Sequence, residues 1–96
     1  MKPSSAQLIA KEEIPSLRFP KEPVHLNAAH HDALLAKVER AMQLGNGHHG
    51  KCRILFRDDR GLKVVETTIW SHDDRSILLK SGISIPLARV LDVEMP

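Results

Sequence analysis

Lys51-Cys52-Arg53-Ile54-Leu55-Phe56-Arg57-Asp58-Asp59-Arg60-Gly61-Leu62-Lys63-Val64-Val65 is the stretch on which the fold turns. Apolar and polar residues alternate with a period of two. Cys52, Ile54 and Phe56 share one face of an extended chain and Lys51, Arg53 and Arg57 the other, as in a strand with one buried side. Asp58-Asp59-Arg60-Gly61 then reads as a hairpin turn, with glycine where a positive φ is required. A long β-rich run follows from Leu62 to Ser71, and its apolar parity slips: Leu62 and Val64 fall on one face, Val65 and Ile69 on the other. The slip predicts a bulge or sharp bend in mid-strand. Downstream, turns at His72-Asp73-Asp74 and Ser81-Gly82 and the stop at Pro86 divide the rest into three more strands. The expected strands are about 51–57, 62–71, 75–80, 83–85 and 89–94, with a single helical turn at Leu87-Ala88 and with Val90 facing away from Leu91 and Val93.

Upstream the period changes to that of a helix. Leu34, Leu35, Val38, Ala41 and Met42 form one apolar stripe, while Lys37, Glu39, Arg40 and Gln43 take the other side. Asn27 is a good N-cap, its side-chain oxygen able to accept from a first-turn amide, and Gly45 reads as the C-terminal cap. A helix over 28–44 is expected. Before it, Pro3, Pro15, Pro20 and Pro23 crowd the first 23 residues and oppose a stable helix. Residues 1–26 therefore read as a Pro-rich extended or disordered arm, laying Leu17 and Phe19 on a single domain of residues 27–96. The fold class is α+β, mostly β: an N-terminal helix capping a five-stranded antiparallel small barrel, since short strands with unpaired edges gain by closing.

The chain has 96 residues, of which 42% are apolar and 27% charged, which suits one small domain with a modest core. No apolar run approaches the ~20 residues of a membrane span, and the first residues lack the apolar stretch of a secretory signal. One cysteine, Cys52, gives no disulfide framework and fits a reducing, cytoplasmic setting. The formal net charge is +2, from 14 basic and 12 acidic residues spread evenly along the chain. Nucleic-acid binders draw their affinity from phosphate neutralisation, so the even spread argues against one unless folding gathers the charges into a stripe.

From Lys51 to Val93 the chain resembles the Sm-like family, which includes bacterial RNA chaperones of Sm type, and more generally the SH3-like small barrels. The resemblance rests on the helix-then-strands order, Asp59-Arg60-Gly61 at the first turn, Asp73 after the second strand and Ile77-Leu78-Leu79-Lys80-Ser81-Gly82. It implies a small barrel. The chain departs from the pattern at Val65-Glu66, where the bending glycine is missing. It departs again at Lys80-Ser81-Gly82 in place of Arg-Gly, and at Leu87-Ala88-Arg89 in place of the chaperones' Lys-His pair. Leu44-Gly45-Asn46, the run Val65 to Trp70, Leu79 to Gly82 and Ile85 to Val90 also resemble a set of short bacterial proteins of no assigned activity.

Gly45 to Cys52 has the spacing of a phosphate-binding loop, but Cys52 stands where a Ser or Thr hydroxyl would hold magnesium. The loop also runs from helix to strand rather than the reverse. A nucleotide site is not expected. Six histidines (His25, His30, His31, His48, His49, His72) lack zinc-enzyme spacing, and a metal would fall to His48 and His49 with His31. No catalytic constellation is read: Cys52 lies on an apolar strand face, and the side chains of Ser71-His72-Asp73 diverge. No cofactor is expected. A basic face of Lys51, Arg53, Arg57, Lys63 and Arg89 is the candidate nucleic-acid surface, with Glu66 placed to neutralise Arg53. Leu17, Phe19 and Trp70 are the candidate protein contacts, Trp70 reading as core unless it proves exposed. The expected function is a non-enzymatic interaction module that binds a protein partner or itself through an open strand edge or the N-terminal arm. An RNA-binding regulator is the alternative, and a histidine metal protein a distant third.

Overall fold

The computed structural model describes residues 6–24, 27–48 (for 45–48 the backbone) and 51–95. The elements in chain order are β1 (Gln7–Ile9), a 3-10 turn (Lys11–Ser16), α1 (Ala28–His48), β2 (Cys52–Arg57), β3 (Leu62–Thr67), β4 (Ile69–His72) and β5 (Ser76–Leu79). A short 3-10 turn leads to β6 (Ser84–Pro86), and another, Leu87–Arg89, to β7 (Val90–Glu94).

The hairpin β2–β3 forms as its alternation requires, in register from Cys52 opposite Thr67 to Arg57 opposite Leu62. Gly61 lies at φ 141° in the turn. The bend expected in the long strand falls at Thr68. On either side of it the inward row is unbroken, Lys63, Val65, Thr67 and Ile69 all being buried. The apparent slip arose because two of these inward residues are polar, while Leu62 and Val64 lie partly buried on the outer face. After Thr68 the chain leaves a four-stranded sheet, ordered β1-β3-β2-β7, and starts a three-stranded one, β4-β5-β6.

The class is α+β with most regular structure in strands, but a closed barrel does not form. Among the described residues β7 pairs with β2 alone and β6 with β5 alone. Helix α1 packs against β4 and β7, one edge strand of each sheet. Its Leu34, Val38 and Ala41 enter the core beside Ile54, Phe56, Ile77, Leu79 and Val90. Asn27 caps it as expected, accepting from the His30 amide at 2.9 Å. Gly45 does not end it. The helix runs on to His48, because glycine within a helix costs about 1 kcal/mol relative to alanine without forbidding the conformation. In β7 a register shift beside Leu91 turns both Val90 and Val93 inward, where simple alternation would have parted them.

The N-terminal segment differs most from expectation. The helix is not the first element, and residues 7–19 are not an appended arm. β1 joins β3 in parallel register, Gln7 opposite Lys63 and Ile9 opposite Val65. Ile14 is 2% exposed within the core, and Leu17 and Phe19 pack against that core, Phe19 meeting Phe56 at a ring separation of 5.9 Å. Proline 15 is accommodated because a 3-10 turn, unlike a long helix, leaves few amides to satisfy. An Ile14→Ala variant should lose about 2–5 kcal/mol in urea unfolding, the usual cost of emptying a packed site; unchanged stability would return the segment to the status of an arm.

Candidate interaction surfaces

The outer face of the larger sheet is set by its registers. Leu8 of β1 lies opposite Val64 of β3, which lies opposite Leu55 of β2. Their neighbours Ile9, Val65 and Ile54 are buried, so Leu8, Val64 and Leu55 form one apolar row across three strands on the solvent side. Leu8, at the edge, is 63% exposed. Along the row's flank Arg53 pairs with Glu66 at 2.7 Å.

The four sheet edges are treated unequally. α1 packs against β4 and β7. β6 ends in Pro86, which has no amide to offer a further strand. Among the described residues β1 pairs on one side only, and it carries neither charge nor proline. Such an edge is a template for another strand.

The five basic residues do not gather into a stripe. Lys51, Arg53 and Arg57 are exposed, and Arg53 is already matched by Glu66. Lys63 lies opposite Phe56 and so points inward with it, away from Arg57. Its side chain is 10% exposed and that of Asp58 1%, the two meeting at 3.2 Å. Asp58 Oδ1 also accepts the amides of Arg60 at 2.9 Å and Gly61 at 3.0 Å, holding the hairpin turn. Burial works to raise the Asp58 carboxyl, but these donors and the Lys63 charge outweigh it and hold the group below its ordinary range. Its Oδ2 is buried without a hydrogen-bond partner. Arg89 is buried too, at 7% exposure. It donates to the carbonyl of Arg57 at 3.1 Å and to that of Glu22, clasping the N-terminal segment to the hairpin.

Trp70 is not core. It is 49% exposed, at a register shift in β4 between Ile69, opposite Leu79, and Ser71, opposite Leu78. The shift turns Trp70 and Ser71 both outward. Sequence reasoning missed this because a Thr-Thr-Ile-Trp run carries no mark of a bulge. Leu17 and Phe19, the other expected protein contacts, are partly buried against the core.

The expected histidine site is described only in part, the side chain of His48 lying outside the described residues. Continuous helix separates His31 from His48 by 17 residues, or about 25 Å at 1.5 Å rise per residue, and His49 lies outside the described residues. Among the described residues no three metal-ligating side chains cluster. The His72 ring faces the Asp73 carbonyl at 3.2 Å and Glu39 at 3.6 Å. The Asp73 carboxylate instead accepts the amides of Arg75 and Ser76, which lower its pKa. Burial pushes the Cys52 thiol up to about 11, and its hydrogen lies toward the Thr67 carbonyl at 3.4 Å. Among the described residues no helix is long and apolar enough to cross a membrane. No family model, curated protein or solved structure matches the chain.

A depressed carboxyl stabilises the fold above its ordinary pKa and ceases to do so as pH falls through the folded value. Asp58→Asn should therefore cost about 3 kcal/mol at neutral pH, as for a broken buried pair. The deficit should shrink on acidification below the ordinary value of 3.8, where the wild-type group also protonates. Urea unfolding at pH 7 and pH 3 measures both, and a deficit independent of pH would remove the charge from the explanation.

Proposed function

We propose that this protein is a non-enzymatic protein-binding module that takes an extended segment of its partner as an added strand on the free edge of β1. One observation carries the reading: β1, paired on one side only among the described residues, carries neither charge nor proline and bears Leu8, 63% exposed, at the end of an apolar row. Strand addition draws affinity from backbone hydrogen bonds and specificity from alternate side chains, and the row offers a place for one such side chain beside Leu8. Its architecture is read as an opened form of the Sm-like or SH3-like small barrel, a reading supported by the order of helix, hairpin-linked strands and short turn before β7. The RNA-binding alternative loses support from the inward turn of Lys63 and Arg89 and from the Arg53–Glu66 pair.

Panning a random heptapeptide library against the wild-type protein and a Leu8→Asp variant tests the reading. Peptides selected by the wild type should shift the amide resonances of residues 7–9 and bind Leu8→Asp at least about ten-fold more weakly, a loss of about 1.4 kcal/mol. Leu8 is exposed, so stability should change little. Selected peptides that map elsewhere would sink the proposal. So would saturable, salt-sensitive binding of a labelled single-stranded RNA that is lost in Arg53→Ala/Arg57→Ala.

A further inference from the structure

Beside β1 lies a polar pocket of about 440 Å³, walled by Gln7 and Ile9, by Glu13 and Ser16 to Arg18 of the N-terminal segment, and by Asp58, Asp59, Arg60 and Lys63 of the hairpin. We propose that it receives the free C-terminal carboxylate of the partner segment, so that the strand added to β1 is the end of a polypeptide. This rests on the edge reading above and names the partner's chemistry.

Direction is the first argument. Gln7 opens β1 and lies opposite Lys63 near the start of β3, so the hairpin wall of the pocket sits at the N-terminal end of β1, while Ile9 lines its other end. A strand added antiparallel to β1 runs the other way and reaches that end with its own C-terminus. The backbone of the wall is fixed there, since the Asp59 amide donates to the Arg18 carbonyl at 2.9 Å.

Charge is the second. Six ionisable groups line the pocket, three of each sign, and half of them are engaged. Lys63 and Asp58 hold each other at 3.2 Å, and Glu13 Oε2 accepts the Ala10 amide at 3.0 Å. Arg18 and Arg60 are exposed, and among the described residues neither guanidinium has an ion-pair or side-chain hydrogen-bond partner. A guanidinium fork suits a carboxylate, which it binds through two parallel hydrogen bonds. The wall also carries an exposed acceptor, the Asp59 carboxylate, which has no ion-pair or side-chain hydrogen-bond partner among the described residues. A terminal residue presents an N–H beside its carboxylate and so meets both kinds of group, whereas an inorganic anion would meet only the first.

The test uses one peptide in two forms, acetyl-Thr-Val-Thr-Val-Thr-Val with a free carboxyl and the same peptide as its carboxamide, titrated by calorimetry into wild type, Arg18→Gln/Arg60→Gln and Leu8→Asp. The acid form should bind the wild type at least about ten-fold more tightly than the amide. That preference should vanish in the double variant, leaving the amide's affinity unchanged, while Leu8→Asp weakens both forms alike. Equal binding of acid and amide to the wild type overturns the carboxylate site and leaves the edge standing. A preference that survives in Arg18→Gln/Arg60→Gln overturns it as well. Failure of both forms to bind at millimolar peptide overturns the edge reading and this inference with it. The two arginines are exposed, and thermal unfolding of each single variant confirms that the fold is kept.

Discussion

One bend makes a single core out of two sheets. At Thr68 the chain leaves β3 and enters β4 without changing which side chains point inward, so Val65 and Ile69 line the same interior from different sheets. The Thr68 carbonyl accepts the Lys80 amide at 3.0 Å, tying the bend to the far end of β5. Without it β4, β5 and β6 would form a separate ribbon, and isolated small sheets are marginal in water. Everything else fills the gaps that the bend leaves: α1 against β4 and β7 on one side, and the 3-10 turn with Ile14 and Phe19 on another.

The hairpin and the helix were legible because their periodicities are strong and their turn and cap residues conventional. Asn27 and Gly61 do what their chemistry suggests. Other features hid for identifiable reasons. Lys63 looked like a surface cation because alternation gives parity but not sign; only its register with Phe56 and its pairing with Asp58 reveal it as an inward residue. Arg89 likewise lacked any local mark, since its partners are carbonyls 32 and 67 positions away. The prolines suggested an arm because they forbid a long helix, yet they permit the short strand and 3-10 turn that the core uses.

The surfaces were partly legible. An open strand edge was anticipated, but the strand that provides it comes from the segment read as an arm, whose three-residue pairing with β3 is parallel and nonlocal. Trp70 became a surface residue through a bulge, a feature of pairing rather than of composition. The basic face dissolved once its members were sorted by register. Local sequence thus described elements well and their mutual orientation poorly, since orientation is decided by partners distant along the chain.

The Arg89 clasp bears on the order in which the molecule is made. Synthesis proceeds from the N-terminus at about 5–20 residues per second, yet β1 needs β3, and Glu22 waits for a guanidinium 67 positions later. The helix and the β2–β3 hairpin depend on neighbours and form early. β1 has no seat until β3 has been made, and the Glu22 carbonyl has none until Arg89 follows. Nonlocal closures of this kind slow folding relative to helical bundles of the same size, and in the interval Leu8 and Ile9 are bare to whatever binds nascent apolar chain.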